Sequence, residues 1–308
     1  MEYIHVSDVL KETFGQKIYR LSLQSGCSCP NRDGTLGTGG CTFCSEGGSG
    51  DFAAPLLPID EQIRLARKRV DAKLPASIPP EGRRYVAYFQ SYTNTYGDTA
   101  RLRVLYLDVI RRPEICLLSI GTRPDCLDDE KISMLMELNR IKPVWVELGL
   151  QTARDDIAEH ILRGYHTAVY DDAYYRLKAA GLTVITHVII GLPGEELSDM
   201  EATVKHVASL YAPFMQAEGG IGNDGIKLQL LHVLRGTALA SEYETHPFHI
   251  MTLPEYANAV VRCLTLLPEG TVVHRITGDG PKQLLIAPLW SADKKRVLNS
   301  LNKAIREA

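Results

Sequence analysis

The feature that most constrains the fold of this chain is a regular alternation between short apolar runs and amphipathic helical patterns. Runs rich in β-branched and other apolar residues occupy 17–23, 85–89, 115–120, 144–149, 183–190, 226–233 and 271–276. Between them, apolar residues recur at three- and four-residue spacing in 60–70, 98–112, 128–140, 168–180, 196–211 and 254–267. Because parallel strands need long crossover connections, this alternation predicts an α/β fold with a parallel sheet.

The segments that follow the apolar runs favour a barrel over an open sheet. Polar or glycine-containing sequence follows nearly every run, such as QSYTNT after residue 89 and GLPGE after residue 190. Parallel barrels place functional groups in the loops after all of their strands, whereas open doubly wound sheets gather them at one switch point. We therefore predict a partial (β/α) TIM-like barrel of about six parallel strands.

A length of 308 residues allows one large α/β domain or two small ones. The continuous alternation favours a single domain over residues 1–308. We expect its barrel core at 17–235 and a short C-terminal extension at 236–308 that closes the barrel.

Three cysteines near the start of the chain predict a soft-metal site on the loop after the first strand. Cys29, Cys41 and Cys44 lie in the run CSCPNRDGTLGTGGCTFC. Three thiolates leave a cubane iron–sulfur cluster one iron short of protein ligands, and an open iron can bind a substrate or cosubstrate. The alternative is a structural zinc site with Cys27 as the fourth thiolate, although Cys27-x-Cys29 is an unusual zinc half-site.

The charge balance gives no global attraction to nucleic acid, because the formal net charge is −3. RNA binding would therefore use local basic segments, and candidates lie at 64–69, 83–84, 101–112 and 294–296. Residues 1–20 lack the apolar core of a secretory signal, and no apolar run approaches about 18 residues. With an odd count of seven cysteines, which argues against a disulfide framework, these features predict a cytoplasmic protein that does not enter a membrane.

Six segments together resemble the radical S-adenosylmethionine (SAM) enzymes, specifically a small bacterial branch related to the radical SAM domain of the Elongator catalytic subunit. They are SGCSCPNRDGTLGTGGCTFC (25–44), AYFQSYTNTYG (87–97), SIGTRPDCL (119–127), VELGLQTARD (146–155), RGYHTAVYDDAYYRLKAAGLTVITHVIIGLPGE (163–195) and HRITGDGP (274–281). The cysteine spacing is C-x11-C-x2-C, as in this branch, and departs from the more familiar C-x3-C-x2-C. No segment resembles the Elongator acetyltransferase domain, so acetyl-CoA chemistry is not expected.

This resemblance implies two cofactors, a 4Fe–4S cluster and SAM. Cys29, Cys41 and Cys44 would hold the cluster, and its fourth iron would bind the amino and carboxylate groups of SAM. Reduction then splits SAM into methionine and a 5′-deoxyadenosyl radical, which removes a hydrogen atom from the substrate. The expected electron donor is an external flavodoxin- or ferredoxin-like protein.

The resemblance also implies contacts to SAM. The expected residues are Phe43, Ser91, Thr93, Asn94, Glu147, Gln151, Arg163 and Gly191. Phe43 is expected near the adenine, and residues 91–94 near the ammonium group. Glu147 is expected to bind the ribose hydroxyls or the ammonium, and Arg163 the methionine carboxylate. Gly191, in GLPGE, would allow the backbone to approach the adenosine closely.

Substrate contacts are expected on the open side of the barrel. The candidates are His166, His187, His232, His274, Arg275, Asp279 and Lys282. A lone histidine on an apolar strand is equally compatible with a buried structural role. No side chain is assigned as a catalytic residue.

Relatives in the Elongator branch act on the C5 side chain of wobble uridine in transfer RNA (tRNA), which makes tRNA the leading substrate class. One specific task would be conversion of a carboxymethylaminomethyl group to aminomethyl. Two alternatives stay open: a radical SAM enzyme acting on a small molecule or a peptide, and a zinc-stabilised RNA-binding barrel without redox activity.

Overall fold

The secondary structure follows the predicted alternation, as seen in a computed structural model that describes residues 1–48, 50–75 and 77–308. The strands within these ranges are β1 (Ile4–His5), β2 (Tyr19–Leu23), β3 (Tyr85–Phe89), β4 (Ile115–Thr122), β5 (Val144–Gln151), β6 (Thr183–Ile190), β7 (Gly225–Leu230), β8 (Val233–Leu234), β9 (Val272–Arg275) and β10 (Leu285–Ala287). The α-helices there are α1 (Val6–Phe14), α2 (Ile59–Asp71), α3 (Thr99–Ile110), α4 (Asp129–Asn139), α5 (Asp155–His160), α6 (Thr167–Ala179), α7 (Leu197–Tyr211), α8 (Ala238–Thr245), α9 (Leu253–Leu264) and α10 (Lys294–Glu307). Among the described helices, none has the length and apolar character needed to cross a membrane.

Eight strands of the described chain form one parallel sheet, in the order β1-β9-β7-β6-β5-β4-β3-β2. Strands β8 and β10 pair separately and antiparallel. The predicted partial barrel is confirmed, but the predicted number of about six strands is wrong. The two-residue strand β1 is too short to give a periodic pattern, and β9 lies within the segment predicted as an extension, 236–308. The single-domain organisation stays a prediction.

The sheet curls so strongly that strands far apart in its order meet inside it. Five strands separate β2 from β9 in the sheet, yet Arg20 Nη2 lies 3.1 Å from His274 Nδ1. His274 also packs edge-on against Trp145 of β5, with ring centroids 4.7 Å apart. Gly225 of β7 leaves room for this ring, because a Cβ there would lie 2.5 Å from the His274 Cδ2 atom. The strands therefore enclose an interior that side chains fill, as in a parallel barrel.

Helix α1 fills the N-terminal end of the barrel. Its buried residues pack on inward-facing residues near the starts of the strands, in one apolar cluster: Val6, Val9, Leu10, Val86, Leu117, Trp145, Ile185 and Val272. Outward-facing residues such as Tyr85, Ala87 and Phe89 instead join the larger cluster beneath the surrounding helices. With the N-terminal end closed, the interior is open at the C-terminal ends of the strands.

Candidate active site

A cavity opens at the C-terminal ends of the parallel strands. Its wall combines the loop after β2 with the ends of β3, β4, β5, β6, β7 and β9. The lining includes Cys29, Cys41, Cys44, Thr93, Arg123, Glu147, Gln151, His187, Gln229 and Arg275. The polar segments predicted at the strand ends therefore meet around one cavity, as expected for a barrel.

Backbone hydrogen bonds within the cysteine loop fix its course. The Arg32 amide donates to the Cys29 carbonyl at 2.8 Å, and the Cys44 amide donates to the Cys41 carbonyl at 2.9 Å. The Gly40 amide donates to the Asn31 carbonyl at 2.7 Å. Gly40 has φ +80°, a left-handed conformation that glycine adopts without strain. The loop thus brings all three cysteines of the predicted cluster motif to the cavity wall.

Two side chains hold the cysteine loop in place, Asn31 by a bond to its surroundings and Arg32 by bonds within the loop. Asn31 Nδ2 donates to the Leu162 carbonyl at 2.8 Å and lies 3.5 Å from Cys41 Sγ. The Arg32 guanidinium donates to the carbonyls of Cys44 at 3.0 Å and Ser45 at 2.6 Å. Since Leu162 follows α5, the Asn31 contact fixes the loop against the segment after β5, and the Arg32 contacts join the two ends of the loop.

The three thiols lie close enough to influence one another. The pKa of the Cys41 thiol is raised to about 12, mainly by burial and in smaller part by the neighbouring Cys44 and Cys29 thiols. The Arg123 guanidinium opposes this increase. Arg123 is itself held by Asp125, through hydrogen bonds of 2.9 and 2.7 Å. A fixed positive charge thus stands beside thiols that must ionise in order to bind metal.

The donor set fits a cluster with one open iron. Cys29 and Cys41 carry free thiols, and both line the cavity together with Cys44. In the described part of the chain, no three Cys, His, Asp or Glu side chains are gathered closely enough to bind a single metal ion. A cubane cluster accommodates wider spacing, because several iron atoms stand between its cysteine sulfurs. Cys27 is buried in the apolar core, and its Sγ accepts a hydrogen bond from Arg101 Nη2 at 3.2 Å.

Several of the predicted SAM contacts line the same cavity. They are Phe43, Thr93, Glu147, Gln151 and Arg163. Gln151 has φ +67°, and Tyr92, which also lines the cavity, has φ +57°. Left-handed backbone at non-glycine residues costs on the order of 1 kcal/mol or more, and such strain concentrates at functional sites.

The other predicted SAM contacts lie elsewhere or make structural bonds. Asn94 is buried, accepts a hydrogen bond from Ser25 Oγ at 2.7 Å and donates to the Gly121 carbonyl at 2.9 Å. The buried Ser91 hydroxyl has no hydrogen-bond partner among the described residues. Gly191 lines a second cavity, together with Glu195 and Met251.

Arg163, although it borders the main cavity, is 1% exposed and is directed mainly at backbone. Its Nη1 donates to the carbonyls of Leu150 and Thr152, both at 2.6 Å. Its Nε donates to the Tyr165 carbonyl at 2.8 Å. This guanidinium therefore joins the end of β5 to the segment after α5.

The predicted substrate contacts divide into two groups. His187, His232, Arg275 and Asp279 line the cavity. The remaining three lie in other environments: His166 is exposed and 3.4 Å from Asp155, His274 is buried between Arg20 and Trp145, and Lys282 is exposed. Burial lowers the pKa of His232 to about 4, which keeps this ring neutral near pH 7.

Polar side chains at the inner end of the cavity form one connected layer, an arrangement that was not predicted from the sequence although three of its members were predicted site residues. We call it the barrel floor, and its members are Arg20, Tyr88, Glu147, His187, Lys227 and Arg275. Glu147 accepts hydrogen bonds from Ser119 Oγ and His187 Nε2, each at 2.8 Å, and pairs with the Lys227 ammonium. Burial opposes ionisation of Glu147, but Lys227 and His187 outweigh it and hold its pKa well below the ordinary value.

Lys227 shows what sequence signal could have revealed the barrel floor. In the strand segment IKLQL, Lys227 and Gln229 alternate with apolar residues, which is the pattern of a strand with one polar face. The pKa of Lys227 is lowered to about 7, mainly by burial, with Arg20 and Arg275 contributing to the decrease and Glu147 opposing it. A lysine in so apolar a strand indicates a buried ion pair, but its partner cannot be identified without the strand order.

Comparisons with known proteins agree with this architecture. The family model of the Radical SAM superfamily matches residues 33–207, and that of the Radical_SAM C-terminal domain matches residues 223–307. The Bacillus subtilis protein YtqA is 39% identical over 297 residues, covering 96% of this chain and 87% of YtqA. Elongator complex protein 3 of Schizosaccharomyces pombe is 28% identical over 169 residues, which are 54% of this chain and 29% of that protein. The structure of Elp3 from the archaeon Methanocaldococcus infernus shares the fold, with a TM-score of 0.62 at 16% identity, covering 91% of this chain and 63% of the archaeal chain.

Proposed function

This chain belongs to the radical SAM superfamily, and we propose that it modifies the C5 side chain of a wobble uridine in tRNA. As a radical SAM enzyme it uses a 4Fe–4S cluster and SAM. The observation that carries the substrate proposal is its similarity to Elongator complex protein 3 over 54% of its length. The specific task that we propose is conversion of carboxymethylaminomethyluridine to aminomethyluridine, in which SAM would be consumed as the two-electron oxidant and water would release the two-carbon unit as glyoxylate when its bond to nitrogen breaks.

Cys29, Cys41 and Cys44 would hold the cluster, which when bound and reduced supplies the electron that cleaves SAM and so produces the hydrogen-abstracting 5′-deoxyadenosyl group. The other residues of the loop have supporting roles. Asn31 and Arg32 keep the cysteine loop in place, and Arg123 adds positive charge beside the thiolates.

The chain's own contribution beyond the cluster is to orient SAM and exclude water. We propose that Phe43, Thr93 and Gln151 contact SAM, since all three line the cavity beside the cysteines. Glu147 belongs to the barrel floor, where Ser119, His187 and Lys227 already bind its two oxygens. The enclosed interior below the rim would shield a reactive radical from solvent and from competing hydrogen donors.

The mouth of the cavity offers a surface for a nucleoside. Phe52 lines the cavity and is 53% exposed, so its ring can stack on a base that turns outward from the anticodon loop. The basic segments predicted from the sequence are less available, because several of their charges are paired. The pairs include Arg67–Glu114 (3.8 Å), Arg83–Asp71 (3.1 Å), Arg112–Asp60 (2.6 Å) and Lys294–Asp279 (2.7 Å). RNA recognition would therefore depend on the mouth more than on a basic face.

The test uses tRNA from a strain that lacks the gene and protein reconstituted anaerobically with iron and sulfide. The tRNA is incubated with the protein, SAM and dithionite, and its nucleosides are measured by mass spectrometry. We expect aminomethyluridine to appear as carboxymethylaminomethyluridine disappears, together with 5′-deoxyadenosine. Formation of 5′-deoxyadenosine with every wobble nucleoside unchanged would overturn the tRNA proposal and favour a small-molecule or peptide substrate.

A further inference from the structure

The barrel floor carries more positive than negative charge. Three cations, Arg20, Lys227 and Arg275, face the interior near a single carboxylate, Glu147. Glu147 pairs directly with Lys227 and therefore neutralises one of the three. The other two carboxylates of the cavity lining are bonded elsewhere: Asp279 to Lys294 at 2.7 Å, and Asp51 to the Ser45 hydroxyl at 2.8 and 3.0 Å. Two guanidinium groups are left without a counter-charge in contact among the residues that the structure describes.

Arg275 is the cation that a ligand can reach. It lines the cavity and is partly exposed, whereas Lys227 beside it is 1% exposed. The two are direct partners across the β7–β9 pairing, so two like charges stand side by side on one face of the sheet. Such an arrangement is unfavourable by itself. Within the described ranges, Arg275 makes no hydrogen bond or ion pair with another side chain.

Arg20 adds a second guanidinium from the opposite edge of the sheet. It is held by His274, with 3.1 Å between Nη2 and Nδ1, and lies over the Tyr88 ring at 5.7 Å. Neither contact neutralises its charge, because a histidine ring carries no negative charge and burial raises the pKa of the Tyr88 hydroxyl well above its ordinary value, which keeps it neutral. The curl of the sheet thus directs two uncompensated guanidinium groups toward the same interior.

We propose that Arg275, supported by Arg20 and Lys227, binds a carboxylate of the substrate at the barrel floor. The identity of that carboxylate rests on the proposed function: it is the terminal carboxylate of the carboxymethylaminomethyl group. A guanidinium offers a planar fork of donors that matches a carboxylate, and water-poor surroundings strengthen the contact.

The depth of the barrel floor favours a side-chain carboxylate over an RNA phosphate. Arg20 is three residues below the end of β2, and Lys227 is three residues below the end of β7. At about 3.3 Å per residue, these positions lie roughly 10 Å below the rim that carries the cysteines. A C5 substituent projects from the edge of the base and can extend into such an interior, whereas the phosphates stay on the RNA backbone outside.

The experiment compares two anticodon stem–loop RNAs that differ only in the C5 substituent, carboxymethylaminomethyl or aminomethyl. Binding to the reconstituted protein is measured anaerobically by fluorescence anisotropy, with SAM but without reductant, so that no turnover occurs. We expect the wild type to bind the carboxylate-bearing RNA about tenfold more tightly. Arg275→Gln should reduce that ratio to about one while leaving the affinity for the aminomethyl RNA unchanged, and Arg275→Lys should retain part of it.

Arg140→Gln, at an exposed position at the end of α4, is the matched control and should leave both affinities unchanged. A wild type that binds both RNAs equally, or an Arg275→Gln variant that keeps the full preference, would overturn the inference even if tRNA is the substrate. If the wild type binds neither RNA, the proposed function fails, and a second probe then decides the inference. That probe compares the binding of N-methylglycine, which carries a carboxylate, with the binding of methylamine, which does not, by saturation-transfer NMR. A signal that is seen only with N-methylglycine and is abolished by Arg275→Gln supports the inference. Any other result overturns it.

Discussion

The carboxylate of Glu147 on β5 and the ammonium of Lys227 on β7 form an ion pair inside the barrel, where both side chains are no more than 1% exposed. Strand β6 lies between them in the sheet and contributes His187, whose Nε2 is 2.8 Å from Glu147 Oε2. Ser119 Oγ donates to the other carboxylate oxygen at 2.8 Å. A buried pair that is so fully bonded tolerates loss of both charges better than loss of one.

We therefore predict that Glu147→Gln destabilises the protein by roughly 3–5 kcal/mol, because it leaves the Lys227 ammonium buried without a counter-charge. The double variant Glu147→Gln/Lys227→Met should recover much of that loss, since it removes both charges. Urea unfolding of the two variants and the wild type measures both effects. A single variant as stable as the wild type would show that the pair is not coupled as the contacts indicate.

The cysteines provide the second prediction. Cys29→Ala, Cys41→Ala and Cys44→Ala should each lose most of the reconstituted iron and all formation of 5′-deoxyadenosine. Cys27→Ala is the matched control, because its thiol lies against Arg101 in the core, and it should keep about four irons per chain. Iron content and SAM cleavage are measured on the same preparations. Zinc in place of iron, with no cleavage in the wild type, would contradict the cluster and support the zinc-stabilised alternative.

The sequence could predict features that depend on residues close together in the chain. It could not predict features that depend on which strands pair in the sheet. The strand–helix alternation and the loop of Cys29, Cys41 and Cys44 are readable from period and spacing over short distances. The barrel floor cannot be read in this way, because its Glu147–Lys227 pair joins residues that are 80 positions apart in the chain. Its Arg20 is held by His274, which is 254 positions away. Only the strand order, with β9 beside β7 and the sheet curled toward β2, brings these groups together.

The Arg163 guanidinium provides the third prediction, because the resemblance assigned it to the carboxylate of SAM and the structure directs it at backbone carbonyls. Arg163→Lys should destabilise the protein by roughly 2–4 kcal/mol, since an ammonium cannot reproduce the donors to Leu150, Thr152 and Tyr165. SAM affinity of the folded variant should change less than about tenfold.

Unfolding in urea and equilibrium binding of SAM separate the two roles of Arg163. Arg154→Lys is a suitable control in the same segment, because Arg154 is 38% exposed and its loss should cost little stability. A large increase in the SAM dissociation constant with unchanged stability would instead assign Arg163 to the cofactor carboxylate.

Glu195, in the second cavity beside Gly191, provides a prediction about pH. Burial is the main cause that raises the pKa of this carboxyl from 4.5 to about 7; the nearby Thr152 opposes the increase and Asp199 adds to it. Neither oxygen has a hydrogen-bond partner among the described residues. Because the folded-state pKa lies above the unfolded value, the stabilising contribution of Glu195 is fully present below about pH 4.5 and is lost as the pH rises through about 7.

Glu195→Gln keeps the shape of the side chain and removes the titration. The unfolding free energy of the variant minus that of the wild type should therefore increase between pH 5 and pH 8. The gain is at most about 3 kcal/mol, and smaller to the extent that solvent screens the carboxylate of this partly exposed residue. Denaturant unfolding of both proteins at pH 5, 6.5 and 8 measures it, and comparison at equal pH cancels any effect of acid on the cluster. Glu244→Gln, at an exposed position on α8, should show no such pH-dependent difference. A constant difference between Glu195→Gln and the wild type across this range would mean that the carboxyl is already ionised at pH 5, and hence that water reaches the second cavity freely.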